Sequence, residues 1–106
     1  MEITIIIVSF KSGEILERCL SSIDQKCPVI VIENSLDKDL KLKLESNYSN
    51  VKCILPKENL GYGAANNLGI RQVKTKYFLI LNPDTTLIEN TLEELLICAN
   101  KIKNFA

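Results

Sequence analysis

Short apolar runs alternate along this chain with segments in which apolar residues recur every three or four positions. Four such runs occur, at Ile3–Val8, Val29–Ile32, Val51–Leu55 and Tyr77–Leu81. Runs of this length, rich in β-branched residues, favour strands that are buried on both faces, as in a parallel sheet covered by helices. The third run is half polar, so we expect it to lie nearer an edge of the sheet. The run Tyr77–Leu81 is predicted to be a central strand.

The segments with three- or four-residue spacing predict amphipathic helices. They cover residues 14–24, 36–47, 62–73 and 91–103, and the second of them has the weakest pattern. Ser12 is a candidate N-cap for the first helix, and Thr91-x-x-Glu94 matches a capping box at the start of the last. The apolar stripe of that last helix is Leu92, Leu95, Leu96, Ala99 and Ile102. Alternation of strands and helices predicts one α/β domain over residues 1–106, with a mostly parallel sheet and helices on both faces.

Charge and hydropathy exclude several classes of function. The 13 basic and 13 acidic residues cancel, and there is no basic patch interleaved with aromatic residues, so nucleic acid is not an expected partner. No apolar run reaches the length of a transmembrane segment. Ile3–Val8 lacks the basic leader and the cleavage site of a signal peptide. The expected location is therefore the cytoplasm, including the inner surface of the membrane.

The chain has four cysteines and no histidine. Cys19, Cys27, Cys53 and Cys98 are scattered, with no C-x-x-C pair, which argues against a zinc site. We expect all of them to be reduced and buried as small hydrophobic side chains. The lack of histidine excludes Ser-His-Asp and Cys-His catalysis within this chain.

The tripeptide Asn82-Pro83-Asp84 directly follows the run Tyr77–Leu81. Pro83 ends the strand because it lacks the N–H that a central strand must donate. Ligands of open α/β sheets bind at the carboxyl ends of the strands. A carboxylate and an amide oxygen there would hold a hard divalent cation, together with diphosphate oxygens and water. The alternative is an ordinary turn, since all three residue types are common turn formers.

Polar residues also follow the first two strands, at Ser9-Phe10-Lys11 and at Glu33-Asn34-Ser35. Because parallel strands place their carboxyl ends at one edge, these segments should converge with Asn82-Pro83-Asp84. An acidic residue after the second strand is well placed to accept hydrogen bonds from a ribose or a base. The alternative for Glu33 is a solvated loop end.

Gly61 and Gly63 open the third predicted helix and allow close approach of its backbone. The exposed N–H groups at the start of a helix attract phosphate. Asn66 and Asn67 place two amides on this helix, although asparagine is a poor helix former. The alternative is a tightly packed helix that uses small residues and carries the asparagines on its surface.

Four segments occur in an order typical of one enzyme family. They are Ile6-Ile-Val-Ser-Phe10, Val31-Ile-Glu-Asn-Ser35, Asn59-x-Gly61 with Ala65-Asn66-Asn67-x-Gly69, and Leu81-Asn-Pro-Asp-Thr85. Each is weak evidence alone, but the ordered set is specific and spans nearly the whole chain. It resembles the nucleotide-binding half of a family 2 glycosyltransferase with the Rossmann-like GT-A fold. The Asn-Pro-Asp form with paired asparagines is most similar to the rhamnosyltransferase-like branch.

This resemblance implies transfer of a sugar, with inversion, from a UDP- or dTDP-linked donor to a glycan or a lipid-linked acceptor. It implies that Asp84 and Asn82 bind Mg²⁺ or Mn²⁺ together with the donor diphosphate. It assigns the donor nucleotide to Ser9, Phe10, Glu33, Asn59, Gly61, Asn66 and Asn82. Three positions depart from the usual family pattern: Asn82 and Glu33 each replace an aspartate, and Asn66 stands where many members carry an arginine.

Members of this family have a second half that supplies the acceptor site and an acidic general base. No carboxylate of this chain has a clear claim to that role, because Glu89, Glu93 and Glu94 are better explained as the acidic start of a helix. We therefore expect an incomplete enzyme without its acceptor-binding half. An uncovered sheet edge would then allow self-association.

Two other functions are alternatives. The chain would fold or oligomerise without turnover if it were an inactive fragment. A dinucleotide-binding oxidoreductase would need a glycine-rich loop after the first strand, and Ser9–Gly13 does not supply one. A response-regulator receiver would need an acidic pair at the same place, which is also absent.

Overall fold

The computed structural model describes residues 2–101 as four strands and four helices that alternate along the chain. In chain order they are β1 (Ile3–Ser9), α1 (Gly13–Ser21), β2 (Val29–Glu33), α2 (Lys38–Asn47), β3 (Val51–Ile54), α3 (Gly61–Arg71), β4 (Tyr77–Leu81) and α4 (Thr91–Lys101). The strands form one sheet in the order β3-β2-β1-β4, and every pair is parallel. The predicted α/β fold with a parallel sheet is confirmed.

β1 is the central strand of the described sheet, and all seven of its residues are buried. Its register places Val8 beside Ile32 and Ile7 beside Leu81, so the carboxyl ends of β1, β2 and β4 lie at one edge. β3 pairs only with β2 and is an edge strand, as predicted.

The prediction that Tyr77–Leu81 is a central strand, buried on both faces, was wrong. β4 pairs only with β1 in the described sheet. Phe78 and Ile80 are 46% and 37% exposed. An apolar run shows that both faces of a strand are apolar, but it does not show what covers them. Here α3 packs on β1 and β2 and leaves the same face of β4 open.

Helices cover both faces of the sheet, as predicted. On one face, Leu16 of α1, Leu44 of α2 and Leu92 of α4 contribute to the larger core. On the other face, α3 packs through Ala65 and Gly69. A Cβ atom at Gly69 would lie 2.7 Å from Cγ2 of Ile6, so a glycine is needed there for α3 to approach the sheet this closely.

Ser12 stands at the N-cap position of α1, as predicted, but neither its hydroxyl nor that of Thr91 caps a helix. Ser12 precedes α1, but its Oγ donates to the carbonyl of Phe10 at 2.8 Å and caps no helical N–H. Thr91 is the first residue of α4, and its Oγ1 donates to the carbonyl of Ile88 at 2.8 Å. A hydroxyl near a helix start is able to cap it, but the direction of the entering loop decides whether it does.

The cysteines are all free thiols, as predicted, but Cys98 is exposed. Burial raises the pKa of Cys19 and of Cys27 to about 11, and that of Cys53 to about 12. The expectation that every cysteine is buried was therefore wrong for Cys98. Cys98 lies on α4, and the described sheet covers only part of the apolar face of this helix. Leu95, on the same helix, is also exposed.

Two predictions about α4 lie outside the described residues: the place of Ile102 in its apolar stripe, and its end near residue 103. Within residues 2–101, no helix is both long enough and apolar enough to span a bilayer.

Candidate functional site

A cleft of about 360 Å³ opens at the carboxyl edge of the sheet, where the ends of β1 and β2 meet the start of α3. Ser9, Phe10, Asn59 and Gly61 line it, and all of them were predicted from the sequence as nucleotide-binding residues. Pro83, from the Asn-Pro-Asp tripeptide, closes the side of the cleft next to β4. The predicted convergence of three loops at one edge is therefore present in the fold.

The side chain of Phe10 is half exposed, so an aromatic face is available at the mouth of the cleft. Lys11, with its Nζ 5.3 Å from the centre of that ring, adds a positive charge beside it. An aromatic ring with a neighbouring cation is suited to stacking against a nucleobase. Phe10 lines the cleft, and its contact with a nucleotide stays a prediction.

Glu33 lies beneath the cleft and is fully buried. Its Oε1 accepts hydrogen bonds from Ser9 Oγ at 3.3 Å and from Ser35 Oγ at 2.6 Å, and its Oε2 accepts one from Asp37 N at 2.8 Å. A buried carboxylate is stabilised by such donors. Glu33 thus holds Ser9 and the loop after β2 in place. The sequence predicted either a contact with a ribose or a solvated loop end, and a fully buried carboxylate with three hydrogen-bond donors is neither of these.

Asn34 is buried and connects β2 to the start of α3, although the sequence did not single it out. Its Oδ1 accepts a hydrogen bond from Leu60 N at 3.2 Å, and its Nδ2 donates to the carbonyl of Gly61 at 3.2 Å. Gly61 has a φ of +74°, which favours glycine, and its N–H donates to Asn59 Oδ1 at 2.9 Å. Asn34 and Asn59 together hold the loop that forms one wall of the cleft.

Tyr62 is a second lining residue that sequence reasoning missed. Its hydroxyl donates to Oδ1 of Asn82 at 3.4 Å, which links α3 to the Asn-Pro-Asp tripeptide. Tyr62 follows Gly61 in a segment that carries the family resemblance, so its place near the cleft could have been predicted from the sequence. Its contact with Asn82 could not, because it joins residues far apart along the chain.

Asn82 and Asp84 are both exposed on either side of Pro83. Among the salt bridges of residues 2–101, none involves Asp84. The carboxylate is near enough to α1 that its negative charge adds to the effect of burial in raising the pKa of Cys19. Asp84 is therefore a solvent-exposed carboxylate next to Pro83; neither Asp84 nor Asn82 is among the residues that line the cleft.

The residues present fit a cation only when another molecule shares it. In the described part of the chain, no three His, Cys, Asp or Glu side chains lie close enough together to hold a metal ion. Asp84 and Asn82 would supply one carboxylate and one amide oxygen, whereas Mg²⁺ takes about six oxygen ligands. Diphosphate oxygens and water would have to provide the remainder.

Asn66 is buried on α3 and does not line the cleft. Its Oδ1 has no hydrogen-bond donor in the described part of the chain. Asn67, by contrast, is exposed, as expected for a surface polar residue. At the N-terminus of α3, Gly61, Tyr62 and Gly63 are exposed, so the start of this helix is open to an anion.

Comparison with known proteins identifies the family of this chain. The sequence model of glycosyl transferase family 2 matches residues 4–102. An uncharacterised glycosyltransferase of Rickettsia prowazekii is 36% identical over 75 residues, which cover 71% of this chain and 24% of that protein. The chain therefore spans about a quarter of the length of this relative.

Solved structures confirm the fold. TarS of S. aureus in complex with UDP superposes with a TM-score of 0.81 at 19% identity, over 95% of this chain and 32% of TarS. The mannosyltransferase PcManGT of Pyrobaculum calidifontis, in complex with GDP-Man and Mn²⁺, superposes with a TM-score of 0.79 at 16% identity, over 90% of this chain and 31% of that one. The architecture is that of GT-A glycosyltransferases, matched over about a third of each of these neighbours, and the chain belongs to glycosyl transferase family 2.

Proposed function

We propose that this chain is the donor-binding part of an inverting glycosyltransferase, and that its cleft holds the nucleotide of a nucleotide-diphosphate sugar. The observation that carries the proposal is the meeting of three loops at one sheet edge, where Ser9, Gly61 and Pro83 line a common cleft. The bound UDP in TarS and the bound GDP-Man in PcManGT support a nucleotide sugar as the ligand class. UDP- and dTDP-linked sugars are the donors that we favour.

In this proposal the cleft residues divide between base and diphosphate. Phe10 stacks on the base, and Ser9, whose hydroxyl donates to Glu33, shapes the cleft beside it. Asn59 and the exposed start of α3 at Gly61 face the diphosphate, whose negative charge the N–H groups of a helix terminus favour.

A divalent cation, Mg²⁺ or Mn²⁺, would be held by Asp84, with Asn82 as a weaker oxygen ligand. The Mn²⁺ in PcManGT supports this assignment. When bound, the cation supplies positive charge to the diphosphate that leaves the sugar. Tyr62 orients the amide of Asn82 through its hydrogen bond.

Nucleotide titration tests the proposal. UDP, dTDP and GDP are titrated into the protein by calorimetry with and without Mn²⁺, and we expect at least one to bind more tightly with the cation. Asp84→Asn should abolish the increase caused by Mn²⁺, whereas Asp39→Asn, an exposed acid on α2, should leave it unchanged. Equal binding by both variants would remove Asp84 from the cation site, and no binding of any nucleotide would refute the function.

A second candidate is a domain that binds a donor without turnover. It is favoured by one observation: no Asp or Glu among the described residues lines the cleft, where a general base would have to stand. Incubation of this chain alone with nucleotide sugars and simple glycan acceptors separates the candidates. Release of nucleotide coupled to glycoside formation would establish a complete enzyme, and binding without release would support the second candidate.

A further inference from the structure

The segment between the Asn-Pro-Asp tripeptide and α4 has no regular secondary structure. It comprises residues 85–90, and it starts in a turn in which Thr85 N donates to the carbonyl of Asn82 at 3.0 Å. The side chain of Asn82 is held from another direction by the hydroxyl of Tyr62. Asp84 therefore lies between an anchored turn and an irregular segment, and the freedom of its carboxylate depends on what holds that segment.

A hydroxyl at the end of α1 holds this segment. Ser22 directly follows α1, and its Oγ accepts a hydrogen bond from Leu87 N at 2.9 Å. The same Oγ donates to the carbonyl of Cys19 at 2.6 Å, so its proton is engaged and a lone pair is left to face the amide. Within residues 2–101, the Leu87–Ser22 contact is the only hydrogen bond between residues 85–90 and a residue more than four positions away.

Packing places the same segment against α1. The side chain of Leu87 packs on the larger core, to which Cys19 and Leu20 of α1 belong. The negative charge of Asp84 also contributes to the raised pKa of Cys19, as expected for a carboxylate near this helix. Residues 85–90 are thus attached to the last turn of α1 through one backbone amide and one apolar side chain.

We propose that Ser22 is a positioning residue for the cation site, and that it limits the motion of Asp84 through the Leu87 amide. The inference rests on the function proposed above, in which Asp84 is the carboxylate that holds the cation. A carboxylate that is ordered before the cation arrives loses less conformational entropy on binding. Leu87 is three residues from Asp84, so the hydrogen bond leaves only a short stretch of chain free. Loss of one such hydrogen bond is enough to change an affinity about two- to tenfold.

Calorimetric titration of variants tests the role of Ser22. UDP, dTDP and GDP are titrated into the wild-type protein with and without Mn²⁺, and the nucleotide that binds most tightly is used for every variant. Ser22→Ala should reduce the increase in affinity caused by Mn²⁺ by about two- to tenfold. It should leave the affinity without Mn²⁺ unchanged, because Ser22 does not line the nucleotide cleft.

Three further variants separate positioning from a general effect on the fold. Ser22→Thr keeps a hydroxyl and should restore the effect of Mn²⁺. Ser22→Cys keeps a side chain of similar size but is a weak hydrogen-bond partner, so it should lose the effect as alanine does, and it replaces the alanine variant if that variant does not fold. Ser21→Ala is the matched control: this neighbouring hydroxyl is exposed and contacts Tyr48 Oη at 3.2 Å, so the variant should behave as wild type.

Hydrogen exchange at the Leu87 amide, followed by NMR, gives a measurement that needs no nucleotide. Exchange should be faster in Ser22→Ala than in wild type, Ser22→Thr or Ser21→Ala. An unchanged effect of Mn²⁺ in Ser22→Ala would overturn the inference, and so would an equal loss of affinity with and without the cation, which indicates a structural role only. A wild-type protein that shows no effect of Mn²⁺ would refute the proposed cation site and this inference with it, and that failure is recognised before any substitution is made.

Discussion

The Glu33 carboxylate and the Asn34 amide occupy adjacent positions at the end of β2 and organise different walls of the cleft. Glu33 accepts hydrogen bonds from Ser9 and from the loop after β2, and Asn34 holds the loop before α3. Its position after a strand singled out Glu33, but as a contact of a ribose or base and not as the buried acceptor that the structure shows. The importance of Asn34 could not be predicted in that way, because its partners Leu60 and Gly61 lie 26 and 27 residues further along the chain.

Asn34→Ala should weaken both the fold and the cleft. The substitution removes two hydrogen bonds at a partly buried place, each of which contributes about 0.5–1.5 kcal/mol, so the unfolding free energy should fall by about 1–3 kcal/mol. Urea denaturation measures that loss, and nucleotide titration should show weaker binding. Asn67→Ala is the control, since Asn67 is exposed on α3 and alanine is the better helix former. Equal stability of the two variants would show that Asn34 does not brace the loop.

β4 and the starts of α1 and α4 show what sequence patterns do and do not encode about an element. The spacing of apolar residues correctly predicted four strands, four helices and their parallel arrangement. It wrongly placed β4 at the centre of the sheet. A run of five apolar residues is typical of a buried strand, but it gives no information about which strands lie beside it. Hydroxyls at Ser12 and Thr91 matched capping patterns, yet the loops entering α1 and α4 turn those hydroxyls toward preceding carbonyls.

Gly69→Ala should destabilise the packing of α3 on β1. The added Cβ would lie 2.7 Å from the side chain of the fully buried Ile6, and relief of such overpacking typically costs about 1–3 kcal/mol. Chemical denaturation of the variant gives the loss directly. Gly63→Ala is a matched control on the same helix, because a Cβ there meets nothing within 4 Å. It should leave stability unchanged or increase it, and a loss equal to that of Gly69→Ala would contradict the packing argument.

The contact between α2 and β3 should make stability depend on pH. Glu45 accepts a hydrogen bond from Cys53 N at 2.9 Å and another from Lys41, and these interactions lower its pKa below the ordinary value of 4.5. A lowered folded-state pKa stabilises the protein above 4.5, and this contribution is lost as the pH falls through the lowered value. Unfolding free energies measured from neutral pH downward should decline in that window. Glu45→Gln should show a smaller decline, and an identical profile would exclude this residue as a source.

Within residues 2–101, the cleft lies at the carboxyl end of the sheet, and β4 is an edge strand of the described sheet. The family resemblance predicted the cleft, because its motifs mark strand ends that a parallel sheet brings together. The edge position of β4 depended on knowing which strands pair, and local sequence does not carry that information. Cys98 was wrongly predicted to be buried because it lies on the apolar side of an amphipathic helix. The described sheet does not cover all of that side.

Thiol reactivity should report the folding of the whole molecule. In the native protein Cys98 should react with a thiol reagent at once, whereas Cys19, Cys27 and Cys53 should react slowly because they are buried and burial raises their pKa. In denaturant all four should react at similar rates. Counting modified thiols over time by mass spectrometry checks this. Rapid modification of more than one thiol in the native state would show that the core opens readily.

The buried position of Glu33 has a consequence for how this site is able to change. The hydrogen bonds that shape the cleft floor run between Glu33, Ser9 and Ser35, whereas Phe10 and Tyr62 on the rim are exposed. Substitutions on the rim therefore leave the floor intact and cost little stability. A binding pocket built in this way allows ligand preference to diverge between descendants while the scaffold stays the same.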